Sequence, residues 1–208
     1  MTDPRGRVRD PARRDRILDA ATELIAQHGY LGVNLADIGT AAGIVGSGIY
    51  RHFDSKAAIL VELFDRVVDR LVTDAEATLR TVSEPRQTLA ALVRAHVAFT
   101  MDERDLCQIY LRESRNLPDG DHRRLRWKQR HYLDLWHDVL CAVRPELDPA
   151  HAQVRVHAAI SCIHSILRYR SPLPYEELAD QLTEAACRAL GITVTAAADQ
   201  PDTATAAS

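Results

Sequence analysis

The chain has 208 residues, of which 46% are hydrophobic, so it can bury a sizeable core in one or two domains. A net charge of −3 excludes a protein that coats nucleic acid through its overall positive charge. Positive charge is nevertheless concentrated at the start, where the first 16 residues contain six arginines and three aspartates.

Residues 1–12 are predicted to form a flexible basic arm. A segment of this composition has two interpretations. It increases solubility alone, or it contacts the DNA backbone or minor groove beside a DNA-binding domain. The choice between them depends on the segment that follows, in which a helix is predicted from Arg13 onward.

Beyond this first helix, the sequence predicts two short helices joined by a tight glycine turn. Asn34 is a favourable N-cap residue, and Asp37 places a carboxylate in the first turn, where the helix dipole favours it. Gly43 predicts the end of this helix, because glycine adopts the left-handed conformation without a Cβ penalty, and Ile44 supplies the hydrophobic contact that closes such a cap. A second helix is predicted over residues 46–53.

Helix, glycine turn and helix in this order form the pattern of the DNA-binding helix-turn-helix. The alternative is an ordinary helical hairpin of an all-α protein, which also uses a glycine turn. The polar residues around the second helix favour DNA binding. Hydrogen bonds to phosphate can come from Tyr50, Arg51, His52 and Lys56, and base edges are within reach of Ser47 and Arg51.

Residues 13–63 resemble the N-terminal domain of the TetR family of bacterial transcription repressors. The resemblance is carried by the opening segment RRDRILDAATELIAQHGYLGVNLADIG, the turn Ala42-Gly43-Ile44, the block Ile49-Tyr50-Arg51-His52-Phe53 and the sequence Asp54-Ser55-Lys56. In the family, the residues that match Tyr50, His52 and Lys56 usually bind DNA phosphates, and the start of the second helix reads bases. The resemblance implies these roles here.

The chain departs from the family pattern at the start of the second helix. Val45 stands where a Ser or Thr commonly caps this helix, and Gly46-Ser47-Gly48 follows. The two glycines present no side chain to bases and lower helix propensity by about 1 kcal/mol each relative to alanine. We therefore predict a recognition helix that frays without DNA and reads bases through Ser47 and Arg51. The predicted DNA-binding residues are Asn34, Gly46, Ser47, Gly48, Tyr50, Arg51, His52 and Lys56.

Apolar periodicity predicts an all-α fold for the rest of the chain, without a strand pattern. The predicted organisation is a three-helix helix-turn-helix domain over residues 13–55 and a helical ligand-binding and dimerisation domain over residues 56–191. Residues 192–208 lack periodicity and are expected to form a disordered tail. The helices predicted after the first domain cover residues 56–81, 85–101, 103–115, 122–143, 150–169 and 174–190, with a turn at residues 117–120.

Two faces of the helix predicted from Ala150 differ in side-chain size. The large face, suited to a pocket wall, contains Val156, His157, Ile160, Ile163, His164 and Leu167. The small face, suited to close helix contact, contains Val154, Ala158, Ser161, Cys162 and Ser165, and the last helix offers Leu178, Leu182, Ala185, Ala186 and Ala189. These residues alone favour packing inside one subunit. The family resemblance instead implies a homodimer formed through the last two helices.

The family resemblance also implies that the second domain holds a small effector. Its apolar composition predicts a hydrophobic ligand, and Arg112, Arg115 and Arg168 leave room for an anionic group, such as that of an acyl-CoA or another hydrophobic acid. A histidine inside an apolar stripe, as at position 96, is either a hydrogen-bonded core residue or a ligand contact. The predicted effector-binding residues are His96, Tyr110, Arg112, Trp127, His131, Trp136, His157 and His164.

The nine histidines raise the alternative of a helical metal-binding enzyme or metal sensor. Their spacing argues against it, because HExxH and ExxH motifs are absent from the sequence and no carboxylate stands beside His157 or His164. A hydrolase elbow of the G-x-S-x-G type is also absent. We predict no catalytic residue, metal site or cofactor.

The cysteines and the hydropathy of the chain indicate its compartment. The four cysteines lack zinc-type or CxxC spacing and are interpreted as buried free thiols of a reducing cytosol. The sequence has neither an apolar run approaching the roughly 20 residues of a membrane helix nor a signal-peptide core. We therefore predict a cytoplasmic regulator, not bound to membranes, that represses a palindromic DNA operator as a homodimer and is released by a small hydrophobic effector.

Overall fold

The computed structural model describes residues 11–193, which form eight α-helices and three short 3₁₀ segments, with no strand among them. This confirms the all-α prediction. The helices are α1 (Pro11–His28), α2 (Leu35–Ala41), α3 (Lys56–Thr81), α4 (Pro85–Asp102), α5 (Arg104–Glu113), α6 (Asp119–Val143), α7 (Pro149–His164) and α8 (Tyr175–Leu190). The 3₁₀ segments are Gly46–Arg51, Ser114–Asn116 and Ser165–Arg168.

The two ends of α2 form as the sequence predicts. The Asp37 backbone N–H donates to Asn34 Oδ1 at 2.9 Å, and the Asn34 N–H donates to Asp37 Oδ2 at 3.1 Å, which completes a capping box. At the other end, Gly43 has a φ of +71°. The Ile44 N–H donates to the Gly39 carbonyl at 2.8 Å, as in a Schellman cap. These caps fix the direction in which the chain leaves α2.

The helix α6 begins earlier than predicted, inside the segment expected to be a turn. It starts at Asp119, and Asp121 places a second carboxylate in its first helical turn. Both charges favour a helix N-terminus there, because they lie at the positive end of the helix dipole. The prediction of a turn through Gly120 is therefore wrong.

The hydrophobic core is divided between two large clusters. The N-terminal cluster joins α1, α2 and the start of α3, and it also includes Ile109 of α5, Leu117, and Leu125 of α6. The C-terminal cluster surrounds Trp136 and is built from α4, α6, α7 and α8. The first domain is therefore packed directly against α5 and the start of α6.

Ion pairs attach the long helix α3 to the helices on either side of it. Glu62 accepts hydrogen bonds from Arg14 of α1, and Asp65 accepts them from Arg124 and Lys128 of α6, the latter at 2.8 Å. Burial alone would raise the pKa of the Asp65 carboxyl, but the hydrogen bonds from the two cations hold that pKa below its ordinary value. Ion pairs near the protein surface contribute about 0–1 kcal/mol each, so these pairs orient α3 more than they stabilise it.

The predicted arm and tail mostly lie outside the described residues. The arm was predicted to extend to residue 12, but Pro11 is already the first residue of α1. The tail was predicted from residue 192, but Ile192 is buried in the C-terminal cluster. Among residues 11–193, none of the helices is both long and apolar enough to cross a membrane.

Candidate nucleic-acid interface and ligand cavity

The recognition segment, Gly46–Arg51, is a 3₁₀ helix rather than the α-helix predicted over residues 46–53. Gly46 has a φ of +58°, in the left-handed region, so an α-helix cannot include it. Val45, at the N-cap, provides no side-chain hydrogen bond to the first turn. The predicted length and helix type are therefore wrong, and the physical reasons are the left-handed Gly46 and the lack of a side-chain cap at Val45.

Gly48 is explained by packing inside this domain. A Cβ at this position would lie 2.7 Å from Ile44 Cγ2, closer than carbon atoms approach. Ile44 is part of the cap that closes α2, so the recognition segment lies directly against the glycine turn. The DNA contact predicted for Gly48 stays a prediction.

The recognition segment presents an exposed surface to a partner. Ser47 and Arg51 are exposed, and Tyr50 is 56% exposed, whereas Ile49 between them is buried in the N-terminal cluster. Val45 is 93% exposed immediately before the segment and was not among the predicted DNA-binding residues.

Three other predicted DNA-binding residues make contacts within the domain. Lys56 Nζ donates to the Val33 carbonyl at 2.5 Å and to the Tyr30 carbonyl, and it lies 4.2 Å from the centre of the Tyr30 ring. An ammonium group has three donors, so at most one remains for a phosphate. Asn34 caps α2, and the backbone carbonyl of the half-buried His52 accepts a hydrogen bond from Arg14 at 2.8 Å. Their phosphate contacts stay predictions.

A cavity lies inside the second domain, between α3, α4, α5, α6, α7 and the following 3₁₀ segment. The space inside it that a water-sized sphere can occupy is about 60 Å³. Most of its wall is apolar, and Val67, Leu71, Phe99, Leu133, Ile160 and Leu167 contribute to it. Exposed Gln129 and Leu111, which is 46% exposed, mark the open side. Its apolar wall suits the hydrophobic part of a small ligand.

Three of the eight predicted effector-binding residues line this cavity: His96, Tyr110 and His164. Trp136 is completely buried and does not line it, but its ring lies edge-on to His96 at a centroid distance of 5.9 Å. His157 lies in a separate groove between α6 and α7.

The remaining predicted effector-binding residues point away from the cavity. Trp127 is 67% exposed and stacks on His131, which lies 3.5 Å from a Glu76 carboxylate oxygen. Arg112 is exposed and does not line the cavity either. The cavity face of α6 instead carries Gln129, Tyr132 and Leu133, because successive helical residues are rotated by about 100°. Tyr132 was not among the predicted effector-binding residues, although it lies one helical turn from Trp136.

A hydrogen-bonded network of three side chains, Tyr132, His96 and His164, forms part of the cavity wall. The Tyr132 hydroxyl lies 2.9 Å from His96 Nδ1, and His96 Nε2 lies 3.1 Å from His164 Nε2. Burial, together with the neighbouring His164, lowers the pKa of His96 to about 3, and burial lowers the pKa of His164 to about 4. Burial also raises the pKa of the Tyr132 hydroxyl. All three groups are therefore uncharged at neutral pH.

The described residues that line the cavity include no Arg, Lys, Asp or Glu. Cys107 lies in the wall, where burial raises the pKa of its thiol to about 12, so the thiol stays protonated. Within residues 11–193, no group of three or more His, Cys, Asp or Glu side chains is arranged to hold a metal ion.

The two faces predicted on α7 differ in exposure. On the small face, Val154 is 68% exposed, and Ala158, Ser161 and Ser165 are also exposed. On the large face, Val156, Ile163 and Leu167 are buried. The corresponding surface of α8 is mostly used inside the subunit, since Leu182 and Ala186 belong to the C-terminal cluster. Only α7 leaves its small face open.

Both domains match known protein families. Residues 17–63 match the family of bacterial regulatory proteins of the tetR type, and residues 82–190 match the tetracyclin repressor-like C-terminal domain. The HTH-type transcriptional regulator BetI of Agrobacterium fabrum is 37% identical over 94 residues, which are 45% of this chain and 45% of BetI. The chain thus spans less than half the length of this relative.

Solved structures share the whole fold. A TetR-family regulator from Bordetella parapertussis has a TM-score of 0.77 and 23% identity, over 85% of this chain and 95% of that one. AibR, solved in complex with isovaleryl coenzyme A and operator DNA, has a TM-score of 0.71 and 20% identity, over 82% and 96% of the two chains. Together with the matches of both domains, the helix-turn-helix and the helical second domain show that the chain belongs to the TetR family of transcriptional regulators.

Proposed function

We propose that this protein is a ligand-responsive repressor that binds a palindromic operator as a homodimer and releases it when a small hydrophobic effector binds. The observation that carries the proposal is the recognition segment, where Ser47, Tyr50 and Arg51 are exposed on a backbone fixed by the capped turn after α2. This arrangement fits a DNA groove and offers no catalytic chemistry, so we propose a regulator that is not an enzyme. A protein with this role acts in the cytoplasm, where bacterial operators are found.

The recognition segment divides DNA contacts into two kinds. Tyr50 and Lys56 bind phosphates, which position the protein without reading sequence. Arg51 and Ser47 reach base edges in the major groove, where each base pair presents a distinct pattern of donors and acceptors. The 3₁₀ segment is short, so few side chains read bases and DNA shape contributes to specificity.

Dimerisation supplies the second recognition segment. The open small face of α7 includes Ala158 and Ser161, and Ser165 follows in the next 3₁₀ segment. These small side chains permit close approach of a helix from a second copy. With a two-fold axis beside this face, the face of one subunit contacts the same face of the other subunit, as in most homodimers. Two recognition segments then bind successive major grooves, which requires a palindromic operator.

The cavity between α3 and α7 is the proposed effector site. A second groove shares Tyr110, Leu111 and Gln129 with the cavity and adds Arg126 and His122 outside its open side. An anionic group, such as that of a hydrophobic acid or an acyl-CoA, fits this outer groove, while the apolar body of the ligand fills the cavity. AibR, which has a similar fold, was solved in complex with isovaleryl coenzyme A.

Two helices connect the cavity to the DNA-binding domain. Val67 and Leu71 of α3 line the cavity, and α3 begins beside the recognition segment. Tyr110 of α5 lines the cavity and packs edge-on against Phe64 at a centroid distance of 4.8 Å, while the adjacent Ile109 is buried in the N-terminal cluster. A ligand that displaces α3 and α5 changes the separation of the two recognition segments. A preference for one separation of about 1–3 kcal/mol is sufficient for regulation.

Mobility-shift assays with the purified full chain test the proposal. The DNA is a palindromic fragment selected from a random pool by the protein itself. We expect a shift by a dimer, and we expect Arg51→Ala to lose the preference for this fragment over random DNA. Equal binding to all DNA, or a preference unchanged by Arg51→Ala, would refute the proposed docking.

A further inference from the structure

The hydrogen-bonded histidines and Tyr132 of the effector cavity lie away from its open side. His96 is 3% exposed and Tyr132 is 6% exposed, whereas Leu111 and Gln129 mark the open side. His164, which is half-buried, lines the cavity beside His96. A ligand that enters from the open side therefore meets the Tyr132–His96–His164 network with its leading end.

The Tyr132–His96–His164 network can form a hydrogen bond with a ligand at one end, His164 Nδ1. A neutral imidazole has one N–H and one acceptor nitrogen. Both nitrogens of His96 are occupied, one by the Tyr132 hydroxyl and the other by His164 Nε2. His164 Nδ1 has no hydrogen-bond partner within the part of the chain that the structure describes. If Tyr132 donates to His96, then His96 donates to His164, and His164 Nδ1 carries the remaining N–H.

The surroundings of this end select against an ionised group. A buried charge is costly unless it is paired, and the described residues of the cavity wall include no side chain of opposite charge for a carboxylate or phosphate. The imidazoles also stay neutral, because burial lowers the pKa of His96 to about 3 and of His164 to about 4. A neutral carbonyl or hydroxyl oxygen accepts from His164 Nδ1–H without this cost.

We infer that the effector carries a neutral carbonyl or hydroxyl oxygen at its leading end, and that His164 binds this oxygen while His96 and Tyr132 position His164. Any anionic group of the ligand lies at the other end, in the outer groove beside Arg126. This inference rests on the proposed effector site and adds the chemical class of the ligand. A plain alkyl chain that entered first would leave His164 Nδ1 without a partner.

Octanol, octane and octanoate, which have equal numbers of carbon atoms, test the inference at neutral pH. Binding is followed by tryptophan fluorescence, because Trp136 lies edge-on to His96. We expect wild-type protein to bind octanol about tenfold more tightly than octanoate. We also expect His164→Leu to weaken octanol about tenfold while changing octane less than about twofold, because only octanol loses a hydrogen bond.

Two further variants separate positioning from folding. Tyr132→Phe keeps the ring and removes the hydroxyl that fixes the His96 tautomer, so it should also weaken octanol more than octane. His157→Leu replaces a histidine of the same helix outside the cavity and should change neither compound. Circular dichroism of each variant confirms that it is folded.

Several outcomes would overturn the inference: octanoate binding more tightly than octanol, His164→Leu weakening both compounds equally, or binding of none of the three compounds. Operator binding by the same samples reports separately on the proposed function. Specific DNA binding without a preference for octanol would refute the ligand class and leave the repressor proposal standing. Loss of specific DNA binding in the wild-type protein would refute the repressor proposal.

Discussion

Acid should destabilise this protein through its two buried histidines. Burial lowers the pKa of His96 to about 3, with a contribution from His164, and lowers the pKa of His164 to about 4, from an ordinary value of 6.5. Between pH 6.5 and pH 4 the unfolded chain therefore binds more protons than the folded one. Above about pH 6.5 the two histidines are neutral in both states and do not reduce the free energy of unfolding. Below that pH the free energy of unfolding falls as the pH drops toward the lowered pKa values.

The size of the effect follows from the difference between folded and unfolded pKa values. At about pH 5, each histidine removes about 2 kcal/mol from the free energy of unfolding, because each pKa unit corresponds to about 1.4 kcal/mol. The pair together removes about 4 kcal/mol, which is a large fraction of the roughly 5–15 kcal/mol of a typical domain.

Urea denaturation at about pH 8 and about pH 5 measures this loss. In His164→Asn, the side chain keeps a hydrogen-bonding group but does not titrate, so the loss between the two pH values should shrink by about 2 kcal/mol. His151→Asn replaces an exposed histidine of the same helix and controls for the substitution itself. If the loss in His164→Asn equalled that of the wild type, the buried neutral pair would not exist in the folded protein.

Three predictions concern the DNA-binding domain. Gly48→Ala should destabilise the domain by about 1–3 kcal/mol and weaken operator binding, because its Cβ would overlap Ile44, and a second substitution, Ile44→Ala, should restore part of the binding. Tyr50→Phe should weaken all DNA sequences equally, whereas Arg51→Ala should remove discrimination between operator and random DNA. Lys56→Ala should weaken all DNA, reduce the salt slope of binding by about one unit and lower the melting temperature, because Lys56 also binds backbone carbonyls of the domain.

The control for Gly48→Ala is an exposed glycine, and a further variant changes the exposed Val45. Gly120→Ala adds a Cβ that meets no atom within 4 Å and should leave stability and binding close to wild type. Val45→Thr restores the hydroxyl common in the family and should change base preference, because the side chain of Val45 is 93% exposed at the start of the recognition segment. Wild-type behaviour of Gly48→Ala would contradict the packing of the recognition segment on the turn. An unchanged salt slope for Lys56→Ala would show that Lys56 does not bind a DNA phosphate.

Features that depend on neighbouring residues could be predicted from the sequence. The capping box of Asn34 with Asp37 and the left-handed Gly43 each involve residues within one helical turn, so side-chain chemistry determines them. Gly46 is also left-handed, but this conformation was not predicted. The sequence Gly46-Ser47-Gly48 is compatible with two helical glycines and equally with a left-handed Gly46 followed by a helical Gly48.

Contacts between distant segments could not be predicted in this way. Lys56 donates to two backbone carbonyls of the loop between α1 and α2, and only the folded domain brings these groups together. The cavity depends on the rotation of α6, which directs Tyr132 inward and Trp127 outward although both are aromatic. Periodicity predicts that a helix has an apolar face but does not determine which polar or aromatic residue at its edge reaches a cavity.

Selection of binding sites from a random DNA pool by the purified full chain tests the central claim most directly. The repressor proposal predicts enrichment of a palindrome whose half-sites are about 10 base pairs apart or a multiple of this distance, with recovery lost in a Tyr50→Phe, Arg51→Ala double variant. Enrichment of no palindrome, or of the same palindrome by the double variant, would contradict DNA recognition by the recognition segment.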